Sequence, residues 1–162
     1  MTHIDRLRLL ISLEGEERHI FLAALSQSEK DELRFHWNIW ARFEQLPPPG
    51  DWHIWLICAG RGFGKTRAGA EWVRHIAKHN KDARIALVGA SISEVRAVMV
   101  EGESGILATS PPKRLPNFEP SLKRLTWPNG AQAKLYSAGE PDSLRGPQDS
   151  HACMAMPRRS FL

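Results

Sequence analysis

Three stretches predict an α/β fold: a phosphate-loop NTPase core with an incomplete parallel sheet, preceded by a small helical arm. The first is the apolar, β-favouring run Trp52–Cys58, followed at once by three glycines in five residues and then by a helical pattern from Lys65 to His79. The second is another short apolar run, Arg84–Gly89, which closes a strand–helix–strand unit and predicts a parallel pair. The third is Pro128-Asn129-Gly130 between Leu122–Trp127 and Ala131–Tyr136, a hairpin signal because Asn-Gly supplies the positive φ angles of a tight turn.

Each element follows in order. Leu7, Leu10, Ile11, Phe21, Leu22 and Leu25 recur at helical spacing, interrupted by the charged stretch around Gly15, so two short helices with a turn at Gly15 are expected. Ser28, with Asp31 three residues on, reads as the cap of a third amphipathic helix carrying Leu33, Trp37, Trp40, Ala41 and Leu46. Pro47-Pro48-Pro49-Gly50 stops it and acts as a stiff connector, giving a helical arm at 1–50, a partial ATPase domain at 51–148 and a divergent basic tail at 149–162. Trp52–Cys58 lacks clean alternation, as a strand covered on both faces would. In the helix that follows, Ala68, Ala70, Trp72, Val73 and Ile76 fit one apolar stripe. Ser91 or Ser93 caps a further helix to about Glu101, and residues 102–120, rich in Gly, Ser and Pro, read as loop.

The composition narrows the function classes. At 162 residues and 42% hydrophobic content the chain is one ordinary domain or part of one. A net charge of +4, from 22 basic and 18 acidic residues, leans mildly toward a phosphate-bearing partner. Cys58 and Cys153 stand far apart without a C-x-x-C pair, which suits a cytoplasmic protein with reduced thiols. No apolar run reaches the ~18 residues of a membrane span, and the N-terminus has no secretory pattern, so no membrane partner is expected. The histidines show no metal-ligand spacing, since His75 and His79 lack the acid of H-E-x-x-H. Trp37, Trp40, Trp52, Trp55 and Trp72 read as packing residues rather than stacking platforms.

The chemistry concentrates at Ala59-Gly60-Arg61-Gly62-Phe63-Gly64-Lys65-Thr66. In a G-x-x-x-x-G-K-[ST] loop the backbone N–H groups turn inward to cradle phosphate oxygens, the lysine neutralises charge, the hydroxyl holds Mg²⁺, and the following helix presents its positive end. Gly64, Lys65 and Thr66 match; Ala59 replaces the first glycine, Gly60 and Gly62 supply flexibility, and Arg61 adds a cation. A bare match of this length also fits a glycine turn that merely packs tightly, and the strand before it and the helix and strand after it favour the phosphate loop.

The run from Cys58 to Trp72 resembles the N-terminal part of a large terminase subunit, the DNA-packaging motor of tailed bacteriophages, prophages and gene-transfer agents. Three further segments carry the resemblance: Val100–Gly105, Leu125–Ala131 and Ser143–Gln148, for a coverage from about Trp37 to Gln148. It implies a hydrolase that burns ATP with Mg²⁺ to drive double-stranded DNA into a capsid, working as a homo-oligomeric ring with a portal protein and a small terminase subunit in the bacterial cytoplasm. It also implies that Lys65 contacts the β- and γ-phosphates, that Thr66 holds Mg²⁺, and that Arg61 senses or triggers hydrolysis. Arg145 would lie near the nucleotide or at a subunit interface, although an arginine beside a glycine turn is as often solvated.

The chain departs from that pattern after Gln148. The family continues into an apolar strand ending in an Asp-Glu pair, one acid for Mg²⁺ and one for water activation. Here no acidic residue follows Asp149, and a chain without the nuclease domain is expected. The expectation is a truncated terminase, such as a frameshift or premature stop leaves, with weak nucleotide binding, little turnover and an exposed sheet edge that favours aggregation. The alternative is a catalytically inactive nucleotide- or DNA-binding remnant or assembly module; a helicase- or kinase-like phosphate-loop protein is a third reading.

Overall fold

A computed structural model of the chain describes residues 12–145 and 148–155. Two compact units divide after Leu46. The first contains helices α1 (Gly15–Ala24), α2 (Gln27–Arg34) and α3 (Trp37–Trp40). Gly15 takes φ 53° at the start of α1, the left-handed conformation that suits a turn there. Leu7, Leu10 and Ile11 lie outside the described residues.

The start of α2 corrects the sequence reading. Ser26, not Ser28, caps it: its hydroxyl accepts from the Glu29 N–H at 3.3 Å, while the Glu29 carboxylate accepts from the Ser26 N–H at 2.9 Å and from its hydroxyl at 2.7 Å. This reciprocal box satisfies two orphan donors at once, which a Ser28 cap does not do. The helix expected to run on to Leu46 breaks at Phe35 and His36, and the Trp40 indole N–H donates across the break to the Leu33 carbonyl at 2.9 Å. Leu33 is the buried centre of a small cluster with Phe21, Leu22, Leu25 and Ile39.

The second unit is a five-stranded sheet with helices on one face. Its elements are α4 (Lys65–His79), β1 (Arg84–Gly89), a helical turn at Ile92–Glu94 continuing into a π-helix at Val95–Val100, α5 (Ile106–Thr109), β2 (Asn117–Glu119), β3 (Arg124–Thr126), β4 (Gln132–Ser137) and β5 (His151–Met154). Strand order is β2-β3-β4-β1-β5. β1 is parallel to both β4 and β5, with Leu87 opposite Leu135 and Cys153, and β2, β3 and β4 are antiparallel. The sheet is therefore mixed, and two expectations change. Trp52–Cys58 is not a strand and does not pair with β1. Part of the supposed divergent tail is one, because β1, buried from Ile85 to Gly89, needs a partner on each side and His151–Met154 supplies the second.

The core forms where α4 lies on the sheet. Val73 and Ala77 of α4 are completely buried against Ile85, Leu87, Leu125 and Ala133, with Val95, Val100 and Ile106 closing the cluster. Ser91 caps the turn after β1 as expected, its hydroxyl accepting from the Glu94 N–H at 3.1 Å. Residues 102–120, expected as loop, hold α5 and β2 as well. Two glycines make that chain reversal: a Cβ on Gly102 would sit 2.8 Å from the Val98 carbonyl oxygen, and one on Gly105 2.7 Å from that of Val100.

The hairpin is present and its turn is the three-residue type. Trp127 N–H donates to the Ala131 carbonyl and Gly130 N–H to the Trp127 carbonyl, both at 2.9 Å, and Gly130 alone takes a positive φ, of 101°. Asn129 instead uses its side chain, donating to the Ala77 carbonyl of α4 at 2.6 Å and accepting from the Ala131 N–H at 3.3 Å.

Candidate nucleotide-phosphate site

Residues 59–64 form the connection into α4. Gly62 and Gly64 adopt φ of 76° and 88°, a conformation in which an L side chain is strained, and Gly64 starts the helix by accepting from the Ala68 N–H at 2.9 Å. Lys65 folds back over the loop, its ammonium donating to the carbonyls of Ala59 at 2.9 Å and Gly60 at 2.7 Å. The backbone N–H groups of Gly60, Arg61, Gly62 and Gly64 donate to no protein acceptor among the described residues. A Cβ on Gly60 or Gly62 would meet nothing within 4 Å, so protein packing does not require glycine at either position. Arg61 is exposed, and Phe63 and Thr66 are half-buried.

The contacts of α4 fix where this loop stands on the sheet. Trp72 lies on His151 with ring centroids 6.0 Å apart, and one turn earlier a Cβ on Gly69 would come 3.2 Å from the Cys153 sulfur. Stepping back along α4 thus moves forward along β5, which brings Lys65 and Thr66 to the Met154–Ala155 end. The loop stands at the carboxyl ends of β1 and β5, where open α/β sheets hold their ligands. At that end β5 finishes at Met154, Ala155 follows it, and no carboxylate occurs from His151 to Ala155.

A buried ion triad lies one turn into the helix. Glu71, with its side chain 4% exposed, accepts from Arg67 at 2.7 Å and Arg74 at 2.6 Å. Burial pushes the Glu71 carboxyl above its ordinary range despite both guanidiniums, and burial likewise lowers Arg74. The sequence reading missed the triad, although its signal was there: the i,i+4 and i,i+3 spacing of Arg67, Glu71 and Arg74 places all three on one stripe.

Arg145 follows the turn Pro141–Leu144 and pairs with Asp142 at 3.2 Å, both side chains 84% exposed. That is a solvated surface pair, and Gly146 and Pro147 beyond it lie outside the described residues. Among the described residues no cluster of three His, Cys, Asp or Glu could hold a metal ion, and no helix is long and apolar enough to cross a membrane.

A family model described as the terminase large subunit, T4likevirus-type, N-terminal, matches residues 56–154. No curated protein and no solved structure matches the chain. The matched stretch begins just before the loop and ends on the last residue of β5, so the likeness runs past Gln148, where the sequence reading placed its limit. It takes in the loop, α4 and the whole sheet, and the chain belongs to the family of terminase large subunits through that family's N-terminal domain.

Proposed function

We propose that the chain is the ATP-binding portion of a DNA-packaging terminase large subunit, with Ala59–Thr66 as the phosphate-binding loop of a P-loop NTPase core. The observation that carries this is the loop itself: two left-handed glycines, four uncommitted backbone donors and a lysine ammonium, all at the amino end of a 15-residue helix and the carboxyl ends of two parallel strands. Those donors and the helix dipole together favour an anion. Gly60 and Gly62 leave the approach free of side chains.

In this reading Ala59, Gly60, Gly62, Phe63 and Gly64 line the phosphates through their backbone, Lys65 neutralises the β- and γ-phosphates, and Arg61 supplies a further cation at the mouth. The Thr66 hydroxyl would hold Mg²⁺, which supplies charge neutralisation on the phosphate oxygens. Arg145 belongs to a surface that meets the nucleotide or a neighbouring subunit of a homo-oligomeric ring. Double-stranded DNA, the portal protein and the small terminase subunit are its partners in this reading.

One observation favours binding over turnover. The strand end facing the loop lacks the carboxylates that general-base chemistry needs, and such groups contribute about 10²–10⁴-fold in rate. The chain thus binds ATP far better than it hydrolyses it, the behaviour of a nucleotide-binding or assembly module.

The test is titration of the full chain with a fluorescent ATP analogue and Mg²⁺. Lys65→Ala is expected to weaken binding about 10- to 100-fold, the equivalent of a charge-assisted hydrogen bond lost. Unchanged affinity in that variant refutes the loop as the phosphate site.

A further inference from the structure

His75 and His79 stand one turn apart on the exposed side of α4, at the end away from the phosphate loop, with ring centroids 4.3 Å apart and a tilt of 41°. The core does not use them. The helix buries Val73 and Ala77 in this stretch, and both histidines lie off that stripe in solvent. The phosphate-binding reading does not use them either.

One hydrogen bond settles which nitrogen His79 can offer. Its Nδ1 lies 2.8 Å from the His75 carbonyl oxygen, and because a carbonyl only accepts, Nδ1 carries the proton and Nε2 keeps its lone pair. That is the usual state of a ligating histidine, whose second ring N–H rests on a carbonyl or carboxylate. No protein group hydrogen-bonds the His75 ring among the described residues, so it is free to turn. Partial burial, then the His79 ring and Lys78, favour the neutral form of His75, the form that ligates.

We propose that His75 and His79 form a two-imidazole site for a borderline divalent cation such as Zn²⁺, Ni²⁺ or Cu²⁺, with solvent completing its shell. Imidazole nitrogen suits these ions, whereas Mg²⁺ and Ca²⁺ take oxygen. A tetrahedral ion with Zn–N bonds of ~2.0–2.1 Å needs its two nitrogens about 3.3 Å apart, a spacing that rotation of the His75 ring reaches. The exposed cation Lys78 works against the site, and solvent screens it. Between the two ligands stand Ile76, Ala77 and Lys78, with no acid to act as a base, so the ion is structural. It joins the last two turns of α4 next to the Ala77 carbonyl, where Asn129 also ties the helix end.

Zn²⁺ added to the chelator-treated full chain tests the site by thermal melting and, independently of any aggregation on heating, by isothermal titration. Zn²⁺ at 100 times its Kd is expected to raise the melting temperature by about 5–10 °C, with one ion bound per chain. His75→Gln and His79→Gln should each weaken Zn²⁺ at least about tenfold, cutting that rise by half or more, while the exposed positions leave the metal-free melting temperature unchanged. Wild-type affinity in the double variant overturns the proposal, as does an equal rise with Mg²⁺. One ion per two chains overturns the pair within a chain, and no Zn²⁺ binding overturns the site outright. None of these outcomes bears on ATP binding at Lys65, which fails or stands by its own titration.

Discussion

Replacing Glu71 by alanine removes the carboxylate that two guanidiniums share, one of them deep in the domain. The Arg74 side chain is 14% exposed and Arg67 29%, and Glu71 takes a bond shorter than 2.8 Å from each. Breaking a buried pair by removing one partner costs about 3–5 kcal/mol, and the partial exposure of Arg67 puts this case near the lower figure. With a urea slope of about 2 kcal/mol per molar, the unfolding midpoint falls by about 1.5 M. Glu71→Gln keeps an acceptor for both arginines and should lose about half as much. The double variant Glu71→Leu with Arg74→Met should recover most of the loss, because burial already disfavours the charged forms of both groups. The pH dependence follows the same logic. A carboxyl raised in the folded state binds its proton more tightly there than when unfolded, so its contribution is complete below the unfolded value of 4.5 and is lost as pH rises through the folded value. Glu71→Gln should abolish that component. A Glu71→Ala midpoint within about 0.3 M of wild type in urea refutes the triad as a structural element.

Gly60→Ala and Gly105→Ala should separate function from folding. The first has open space for its Cβ and should leave the melting temperature unchanged while weakening ATP binding; the second meets a backbone oxygen and should cost about 1–3 kcal/mol by thermal denaturation. Asn129→Ala removes two hydrogen bonds that tie the hairpin turn to α4, an expected loss of about 1–2 kcal/mol by the same assay. Burial pushes the Cys153 thiol up to about 11, and its sulfur faces Gly69, so a thiol reagent at pH 8 should modify the exposed Cys58 quickly and Cys153 slowly until urea is added.

What the sequence disclosed depended on how local the cause was. The glycine loop, α4, β1 and the Asn-Gly hairpin are set within a few residues, by positive-φ glycines and apolar periodicity, and each stands where it was read. β5 was missed because His151-Ala152-Cys153-Met154 has too little pattern to announce a strand; it becomes one only because β1 offers an apolar edge some sixty residues away. The reverse happened at Trp52–Cys58. Its local preference was strand-like, but three tryptophan rings hold it against α4 instead. The Ser26 box was legible in the spacing Ser-x-x-Glu, two residues ahead of where the cap was assigned. Of the candidate site, residues 59–66 are contiguous and stand out in the sequence, whereas the stretch His151–Ala155, which holds no carboxylate, acquires a place beside the loop only once β5 exists.

The side-chain tether at Asn129 gives α4 a mechanical character. The helix is 15 residues long, about 22 Å, bound at its last turn to the hairpin and seated in its second turn by Gly69 on Cys153. Its first turn ends in the loop. The hairpin and β5 thus set the pitch of the helix that carries the loop, so the place of the loop follows from contacts made well away from it.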